Sequence, residues 1–410
     1  MSINKDSQKA PNLRFKGFTD DWEQRKLKDV SERVRGNDGR MELPTLTISA
    51  GKGWLDQRDR FSGNIAGKEQ KNYTLLSENE LSYNKGNSKL AKYGVVFKLS
   101  AYKEALVPRV YHSFRTNKEA NPDYIEYMFA TKLPDRELGK LVTSGARMDG
   151  LLNINYDDFI GIKIKIPSLA EQSKISILFI QLDNLITLHQ RKLDQLNQLK
   201  EALLQQMFPG KGEIVPKLRF AGFEGDWEDR KLWDILRERN EKMAETTEYP
   251  LMSFIQGIGV TPKDKRYDRS FLVKDLDKKY KKTELGDFIY SSNNLETGSI
   301  GFNRTGKAVI SPVYSIFASK NQVESQFIGI MSNREDFINK MVRFRQGVVY
   351  GQWRIHEKDF LNIQVNIPTE DEQFIIIELF RQLDNTIILQ QRKLDQLKNM
   401  KQVLLQNMFI

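Results

Sequence analysis

The sequence predicts an α/β (α+β) protein with a pseudo-twofold internal repeat: two mixed domains in tandem, each followed by a long α-helix. Two repeated segments carry this prediction. PNLRFKGFTDDWEQRKL, from Pro11, returns as PKLRFAGFEGDWEDRKL, from Pro216, with 12 identities in 17 positions. QLDNLITLHQRKLDQL, from Gln181, returns as QLDNTIILQQRKLDQL, from Gln382. A period of about 200 residues is too long for a solenoid repeat, so it indicates duplication of a whole domain with its helix.

Proline, glycine and helical periodicity divide the chain into five segments. We predict a first domain over residues 1–166, a first helix over 167–208, a linker over 209–217, a second domain over 218–367 and a second helix over 368–410. The linker is marked by MFPGKGEIVPKLRF, in which two prolines and two glycines end a helix and restart an extended chain.

Short runs rich in β-branched and aromatic residues predict strands in both domains. They are LPTLTIS, YGVVFKL and GIKIKIP in the first domain, and FIYSS and NIQVNIP in the second. NPDYIEYMFATKL, from Asn121, and SNREDFINKMVRF, from Ser332, predict helices. The middles of the two halves, residues 28–105 and 233–308, align poorly. Each half therefore consists of a frame that both halves share and a central segment whose sequence differs between them. We call these two segments, residues 28–105 and 233–308, the private centres.

Each long helix has a recognisable start. Ser168 with Glu171, and Thr369 with Glu372, have the S/T-x-x-E spacing of a capping box. From there the pattern continues without glycine or proline for about 40 residues, or roughly 60 Å of helix.

Apolar residues in a seven-residue pattern occupy the a and d positions of a coiled coil, through which the two helices can pair. The pattern is interrupted by His189 and Lys200, matched by Gln390 and Lys401, and polar positions of this kind fix register and partner choice. A metal role for His189 is disfavoured because its counterpart is a glutamine. The residues predicted to form the seam and to bind partners are Leu182, Ile186, Leu193, Leu196, Leu203, Leu383, Ile387, Leu394, Leu397 and Leu404.

A further apolar set lies beside the seam of the first helix, at Leu185, Leu188, Leu199 and Leu204. Each helix is therefore expected to have more than one adhesive face. One face can pair the two helices. The other can recruit further subunits, or it can close the core of the chain itself.

Composition excludes several kinds of chemistry. The 410 residues include no cysteine and three histidines far apart in sequence, so disulfides and thiolate metal sites are excluded and a histidine-rich centre is disfavoured. No run approaches the roughly 18 to 20 apolar residues of a membrane span, and the first residues lack an apolar signal core. We expect a soluble cytoplasmic protein.

The charge and the loops favour a nucleic-acid partner. A net charge of +10 fits binding to DNA or RNA, although a well-solvated surface can have the same charge. Loops of the private centres are rich in Arg, Lys, Asn and Gln, which contact bases and phosphates. The predicted DNA contacts are Lys52, Trp54, Arg58, Lys85, Asn87, Lys89 and Arg147 in the first domain, and Gln256, Lys263, Lys265, Arg266, Asn293, Asn294, Arg304, Tyr350, Gln352 and Arg354 in the second.

Similarities to catalytic motifs are partial, and the chain is predicted to be non-catalytic and to bind no metal. NPDY at 121–124 lacks the second proline of an amino-methyltransferase motif and fits a helix start with an Asn cap. FIQGIG at 254–259 is followed by VTPKDKR rather than by the helix of a methyl-donor loop. The segment from Gly301 to Lys307 has P-loop spacing, but Ala308 replaces the residue that would hold Mg²⁺.

Three paired features resemble the specificity subunit of a type I restriction-modification system. They are the LRFxGFxxDWExRKL segments, the I-P-x-x-x-E-Q helix starts at Pro167–Gln172 and Pro368–Gln373, and the leucine-seamed helices. The resemblance covers nearly the whole chain. Its strongest element is the order of domain, helix, domain and helix.

The resemblance implies two target-recognition domains, each reading one half of a split, asymmetric site in double-stranded DNA. It implies that the two helices form an antiparallel coiled coil, set the spacer between the half-sites and bind two modification subunits. Those subunits would use S-adenosylmethionine to methylate a flipped adenine. Restriction subunits with ATP and Mg²⁺ would join, while this chain itself would bind no cofactor. Two alternatives stay open: a coiled-coil scaffold without sequence preference, and a subunit of a related system with a fused methyltransferase-nuclease partner.

Overall fold

A computed structural model of the chain describes residues 8–61, 67–142, 151–262, 279–293, 295, 299–348 and 352–410, with the side chains of Lys68, Val348 and Gln352 outside the description. The chain divides into two compact units, residues 1–189 with 393–410, and residues 190–392. Each unit contains one domain, the first half of the helix that follows it and the second half of the other helix.

In the first unit, short strands and helices precede a long helix. The strands are β1 (Glu23–Lys26), β2 (Ser31–Arg33), β3 (Leu46–Ser49), β4 (Gly53–Asp56), β5 (Thr74–Ser77), β6 (Leu81–Asn84), β7 (Val95–Lys98), β8 (Glu104–Val107), β9 (His112–Thr116) and β10 (Lys163–Ile166). The helices are α1 (Gln57–Phe61), α2 (Pro122–Ala130), α3 (Asp135–Leu141), α4 (Tyr156–Ile160) and α5 (Leu169–Gln206), whose second half enters the other unit.

The second unit repeats this order. Its strands are β11 (Glu228–Lys231), β12 (Leu236–Glu238), β13 (Lys242–Met243), β14 (Met252–Ile255), β15 (Gly259–Pro262), β16 (Tyr280–Thr283), β17 (Phe288–Tyr290), β18 (Ile300–Phe302), β19 (Ala308–Ile310), β20 (Ser315–Ser319), β21 (Gln346–Val348), β22 (Gln352–Arg354) and β23 (Gln364–Ile367). Its helices are α6 (Leu232–Ile235), α7 (Glu324–Met331), α8 (Glu335–Val342), α9 (Glu357–Leu361) and α10 (Glu370–Asn407). The strands and helices predicted above are confirmed.

A four-stranded antiparallel sheet lies in each unit, and the two sheets have equivalent strand orders. The order is β2–β9–β6–β7 in the first unit and β12–β20–β17–β18 in the second. The register also agrees, because Arg33 pairs with Phe114 in one sheet and Glu238 pairs with Phe317 in the other. The two sheets are therefore copies of one another at the level of individual residue pairs.

The private centres share a topology that their sequences conceal. A hairpin, β3–β4 or β14–β15, is joined to the neighbouring strand pair by a parallel bridge, Thr45 with Leu106 or Leu251 with Val309. The strand pairs are β5–β8 and β16–β19. Strands require alternation and turn residues more than particular side chains, so poorly aligned sequences can form equivalent elements.

The repeated entry segment is bound to the repeated helix start in both units. β1 pairs with β10, and β11 pairs with β23, which joins each DWExRKL segment to the strand before a long helix. Arg14 donates two hydrogen bonds of 2.7 Å to Glu171, and Arg219 donates bonds of 2.8 and 2.7 Å to Glu372. Both carboxylates are 1 % exposed. Each buried carboxylate is thus neutralised by a bidentate arginine.

This pairing corrects the predicted capping box. The amide of Glu171 donates to the Ser168 hydroxyl at 3.4 Å, which is the first half of that motif. The Glu171 carboxylate, however, accepts from Arg14 instead of from the Ser168 amide that the second half requires. The spacing S/T-x-x-E therefore marks a tertiary anchor here, because a buried carboxylate gains more from an arginine than from a backbone amide.

In the first unit, the two helix segments run antiparallel where they meet. The ring of Phe179 on α5 lies 5.9 Å from that of Phe409, which directly follows α10. Farther along α5, Asp183 accepts from Lys401, which lies earlier on α10. Residue numbers therefore increase along α5 in the direction in which they decrease along α10, so the two segments are antiparallel.

The second unit shows the same arrangement. The ring of Phe208, just past α5, lies 6.2 Å from that of Phe380 on α10, and Lys200 forms an ion pair with Asp384 at 2.6 Å. Arg334 donates to the carbonyls of residues 204, 208 and 209, at 3.0 to 3.1 Å. This cation satisfies carbonyls at the C-terminal end of α5 that have no partner inside the helix.

The three motifs that resemble catalytic ones have structural roles. Asn121 accepts two amide hydrogen bonds at the start of α2, with Pro122 at the first position, so the predicted cap is confirmed. The segment 254–259 is the turn region between β14 and β15, and the segment after Gly301 continues into β19 and β20. Neither glycine-containing segment leads into the helix that a phosphate-binding or methyl-donor loop requires.

Candidate nucleic-acid interface

Seven of the ten predicted DNA contacts whose side chains are described fall on the same three connections of the two units. We call them the hairpin turn (residues 50–52 and 256–258), the central loop (85–94 and 291–299) and the return segment (151–155 and 352–356). The hairpin turns carry Lys52 and Gln256. The central loops carry Lys85, Asn87 and Lys89 in the first unit, and Asn293 in the second. Arg354 lies on the second return segment.

In the first unit, the three connections lie against one another. Gly51 of the hairpin turn lies against Leu90 of the central loop, and Asn84, the last residue of β6 before that loop, donates to the carbonyl of Ile48 in β3 at 3.3 Å. Gly86, in the same loop, forms an antiparallel bridge with Leu151 of the return segment. Segments far apart in sequence therefore form one surface, as base reading requires.

In the second unit, the central loop also touches the return segment. Asn293 accepts from the amide of Trp353 at 2.6 Å. The hairpin turn is attached differently, because Gln256 donates to Asn333, two residues beyond the end of α7, at 3.0 Å. The equivalent connections are thus held by different local contacts.

The predicted contacts whose side chains are described form two groups, one exposed and one half-buried. Lys52, Arg58, Asn87, Lys89 and Arg354 are exposed and accessible to a ligand. Arg147, Lys263, Lys265, Arg266, Asn294, Tyr350 and the side chain of Gln352 lie outside the described residues.

The others are half-buried and already bonded within the fold. The indole of half-buried Trp54 donates to the carbonyl of Lys98 at 3.0 Å, and the ammonium of Lys85 donates to the carbonyl of Ile154 at 3.2 Å. Gln256 and Asn293 have the contacts described above. In the free chain these side chains stabilise the connections, and as DNA contacts they stay predictions.

Arg304 has a distinct environment. Its guanidinium forms an ion pair with Asp384 of α10 at 2.7 Å, lies 4.2 Å from the ring centre of Phe302 and is 15 % exposed. The next residue contacts the β14–β15 hairpin, since the hydroxyl of Thr305 donates to the carbonyl of Val260 at 2.6 Å. Arg304 therefore ties the second recognition domain to its helix.

His112 connects the central loop with the return segment. Its Nε2 lies 2.9 Å from the carbonyl of Ile154, which can only accept, so this nitrogen carries the proton. Burial lowers the pKa of His112, and the positive charges of Lys85 and Arg33 lower it further. The ring, which lies 5.8 Å from that of Tyr156, is therefore neutral near pH 7.

A basic cleft beside Tyr156 contains residues that the sequence alone does not single out. It has a volume of about 680 Å³, and its cationic residues are Arg33, Arg35, Lys71 and Arg109. One sequence signal could have found the first two, because the alternation R-V-R at 33–35 places both arginines on one face of an extended segment. Lys71 and Arg109 join them only through folding.

The predicted helix seam is withdrawn from solvent. Leu182, Leu193, Leu383 and Leu394 are buried, and the other six residues are half-buried: Ile186, Leu196, Leu203, Ile387, Leu397 and Leu404. This burial agrees with a coiled-coil seam, while knobs-into-holes packing stays a prediction.

The polar seam positions have specific partners. Lys401 forms an ion pair with Asp183 at 2.5 Å, and the hydroxyl of Tyr127 donates to the same carboxylate at 2.9 Å. Lys200 forms the equivalent pair with Asp384 at 2.6 Å. Each lysine thus binds the aspartate of the QLDN segment on the other helix, which supports the prediction that these lysines set register.

The two alternatives for the second apolar face apply to different residues. Leu185, Leu188 and Leu199 are 43, 60 and 49 % exposed, so they are available to a partner. Leu204 is 8 % exposed and belongs to the core of the second unit, so at this position the face closes the core of the chain itself. On α10, the counterparts of Leu188 and Leu199 are Leu389 and Met400, which are 62 and 43 % exposed. The two helices therefore present matched exposed apolar pairs.

Perturbed carboxyl groups are parts of the fold. Burial raises the pKa of Glu126 to about 7, and its carboxylate accepts from the amide of Lys98 at 3.2 Å.

Among the described residues, no group of three or more His, Asp or Glu side chains could hold a metal ion. Within that same part of the chain, no helix has the length and apolar character to cross a membrane.

The sequence and the fold of this chain are similar to those of known proteins. The family described as type I restriction modification DNA specificity domain matches residues 19–198 and again residues 224–399. The type I restriction enzyme MjaVIII specificity subunit of Methanocaldococcus jannaschii is 24 % identical over 303 residues, or 68 % of each chain. The crystal structure of a type I restriction-modification system S subunit from M. genitalium matches 98 % of this chain and 99 % of its own, with a TM-score of 0.64 at 14 % identity, which shows a shared fold. The chain belongs to the family of type I restriction-modification DNA specificity subunits.

Proposed function

We propose that this chain reads a split, asymmetric DNA site, one half with each unit. The observation that carries the proposal is the pair of equivalent scaffolds with different side chains on equivalent connections. Lys52 and Gln256 occupy the hairpin turns, and Lys89 and Asn293 occupy the central loops. A shared scaffold presents both surfaces to the major groove in the same way, while different donors and acceptors select different bases.

The long helices would set the separation of the two half-sites. Each contains 38 residues, about 57 Å at 1.5 Å per residue. A continuous helix holds a distance better than a flexible linker, and fixed protein geometry dictates half-site spacing in DNA-binding dimers. The ion pairs of Lys200 and Lys401 would hold the helices in one register.

The exposed apolar pairs would bind two modification subunits, one near Leu188 and one near Leu389. Exposed leucines in matched positions on a repeated helix favour two copies of the same partner, since equivalent surfaces bind equivalent partners. Restriction subunits would join the same assembly in the cytoplasm.

The chemistry of the complex would lie on those partners. The modification subunits would bind S-adenosylmethionine and methylate an adenine flipped from the duplex. The restriction subunits would use ATP and Mg²⁺. This chain would be non-catalytic and would bind no cofactor, contributing contacts to double-stranded DNA and to its partners.

Replacement of one private centre tests the split-site proposal. We expect that exchanging residues 216–360 for the equivalent segment of another family member changes one half of the methylated motif and leaves the other half and the spacer unchanged. The measurement is genome-wide sequencing of methylated adenine in cells that carry the partner subunits. The unmodified chain is the matched control.

Two outcomes would contradict the proposal. If cells with and without the chain have the same adenine methylation, the chain does not direct modification. If the exchange alters both halves of the motif, the two units do not read independently.

A further inference from the structure

We infer that the basic cleft of the first unit is a phosphate-binding site. It holds the backbone of duplex DNA beside the hairpin turn, the central loop and the return segment, which are the connections proposed to read bases. The inference rests on the proposed function, because DNA is the polyanion that this unit would read. The cleft of about 680 Å³ is lined by four cations, and the amides of Asn37 and Asn72 at its border are bonded within the fold. Guanidinium and ammonium groups donate hydrogen bonds to phosphate oxygens.

The cations of the cleft form no ion pair with any described residue. Three other arginines of the unit are neutralised: Arg25 by Glu119, Arg40 by Glu104 and Arg115 by Glu32. The described lining of the cleft contains no carboxylate. Four like charges around one cavity repel each other, so the arrangement becomes favourable when an anion enters.

The cleft is organised before any ligand binds. The guanidinium of Arg33 lies 4.2 Å from the ring centre of Tyr156. The amide of Val34 donates to the carbonyl of Ser113 at 3.0 Å, which keeps the segment extended and leaves Arg33 and Arg35 on the exposed side. Asn37 donates to the carbonyl of Arg40 at 2.9 Å. A site that is ordered in advance loses little entropy on binding.

A chain of contacts links the cleft to the base-reading connections. Arg33 lies over Tyr156, whose ring packs against that of His112. His112 shares the carbonyl of Ile154 with the ammonium of Lys85 in the central loop. The cleft therefore lies beside the residues predicted to contact bases. Contacts to phosphates fix the position and orientation of a protein on the duplex, and base contacts then select sequence.

The equivalent place in the second unit has a mixed charge, since two carboxylates, of Glu238 and Glu357, lie near Lys281 and Arg354. Glu238 stands where the first unit has Arg33, and Glu357 stands where it has Tyr156. Burial raises the pKa of Glu238, and the charge of Glu357 raises it further. Arg239, next in sequence, is paired with Asp287 at 2.8 Å. This phosphate site is therefore a property of the first unit and no part of the repeated frame.

Charge removal tests the site. The variant combines Arg33→Gln, Arg35→Gln, Lys71→Gln and Arg109→Gln in the full chain bound to its modification subunits. Affinity is measured over a range of salt concentrations for the methylated target sequence and for a scrambled duplex. We expect the slope of log K against log salt to become shallower by about 2 to 4, with at least about tenfold weaker binding to both duplexes. The methylated motif should not change.

Two matched variants complete the experiment. Gln replacement of Lys16, Lys28, Lys118 and Lys163, which are exposed elsewhere on the unit, removes the same charge. It should leave most of the salt slope intact. The charge-conserving triple Arg33→Lys, Arg35→Lys and Arg109→Lys should retain the slope, which separates loss of charge from loss of fold.

The inference would be overturned by a salt slope in the quadruple variant equal to that of the natural chain, by an equal loss in the control variant, or by a changed motif. A failure of the proposed function is distinct from these outcomes. In that case the natural chain itself would not prefer its target duplex to the scrambled one.

Discussion

At the scale of single residues, the same residue type has different roles in different surroundings. Arg14 neutralises the buried Glu171, Arg304 fastens a recognition domain to Asp384, and Arg33 forms no ion pair with a described residue and borders a cleft. The guanidinium fork suits each role because it binds carboxylates and phosphates with two parallel hydrogen bonds. The partner of each arginine, rather than the arginine itself, decides its role.

The buried Arg14–Glu171 pair should contribute strongly to stability. We expect Arg14→Ala to lower the free energy of unfolding of the first unit by about 3 kcal/mol, because it leaves a carboxylate that is 1 % exposed without its cation. Urea titration monitored by tryptophan fluorescence measures the change. The control is Arg25→Ala, whose glutamate partners are exposed and whose cost should stay below about 1 kcal/mol. Equal costs for the two variants would refute this assignment.

At the scale of elements, the two long helices are held by one lysine–aspartate pair in each unit, and the two pairs differ. Asp183 accepts from Lys401 and from the neutral hydroxyl of Tyr127. Asp384 is bound by Lys200 and by a second cation, Arg304. The two lysine–aspartate pairs therefore differ in charge, because Asp183 faces one cation and Asp384 faces two.

This difference predicts unequal results for charge exchange. Lys401→Glu should destabilise the first unit by about 1 to 3 kcal/mol, and adding Asp183→Lys should restore most of the loss, because the pair is re-formed with reversed polarity. The same exchange of Lys200 and Asp384 should not restore stability. There the new lysine at 384 would face the cation of Arg304.

Thermal unfolding of the four single variants and the two exchanged pairs measures these effects. Recovery at both sites, or at neither, would contradict the assigned role of Arg304. Adding Arg304→Met to the exchanged pair in the second unit should improve its recovery, which provides an internal control.

At the scale of the whole molecule, the repeat makes equivalent surfaces available twice. Leu188 and Leu389 are the same position of the repeated helix, and both are about 60 % exposed in the free chain. An exposed leucine on a helix that also has a buried seam is expected at a protein–protein interface. The duplication would therefore account for the two partner copies proposed above in the same way as for the two proposed reading surfaces.

Substitution of these leucines should remove partner binding without unfolding the chain. We expect Leu188→Asp to cost one modification subunit, and Leu188→Asp with Leu389→Asp to cost both, each with an affinity loss of about tenfold or more. Mass measurement of the purified complex counts the bound subunits. Gln195→Asp with Gln396→Asp adds the same charge at exposed positions of the same helices and should leave two subunits bound. Retention of both subunits by the leucine double variant would exclude this surface.

The local features of the fold could be predicted from sequence. The Asn121 cap, the strand before each long helix and the buried seam from Leu182 to Leu404 depend on residues a few positions apart. Their periodicities of two and about 3.6 residues are visible in one chain. Lys52 and Lys89 could be selected as exposed cations because the local composition around each of them predicts a loop.

Pairings between distant residues could not be predicted. The spacing of Ser168 and Glu171 indicated a capping box, while the carboxylate binds Arg14, 157 positions away. Leu204 fits an exposed helical face, but the domain that follows it covers this residue. Arg304 lies in a loop that was selected by its composition, and its ion pair with Asp384 is visible only in the structure. In each case the competing partner is absent from the local window.

The sequence by itself determined the duplication and the two long helices with their seam, because repeats and periodicities can be read directly from one chain. Its resemblance to a known family predicted membership in the family of DNA specificity subunits, which the match to the family over both halves confirms. Only the tertiary structure decided that the private centres share one topology, that each seam lysine has an aspartate partner and that four scattered cations border one cleft. The physical reason is that a strand scaffold tolerates many sequences, whereas ion pairs and clefts depend on the distances that folding creates between remote residues.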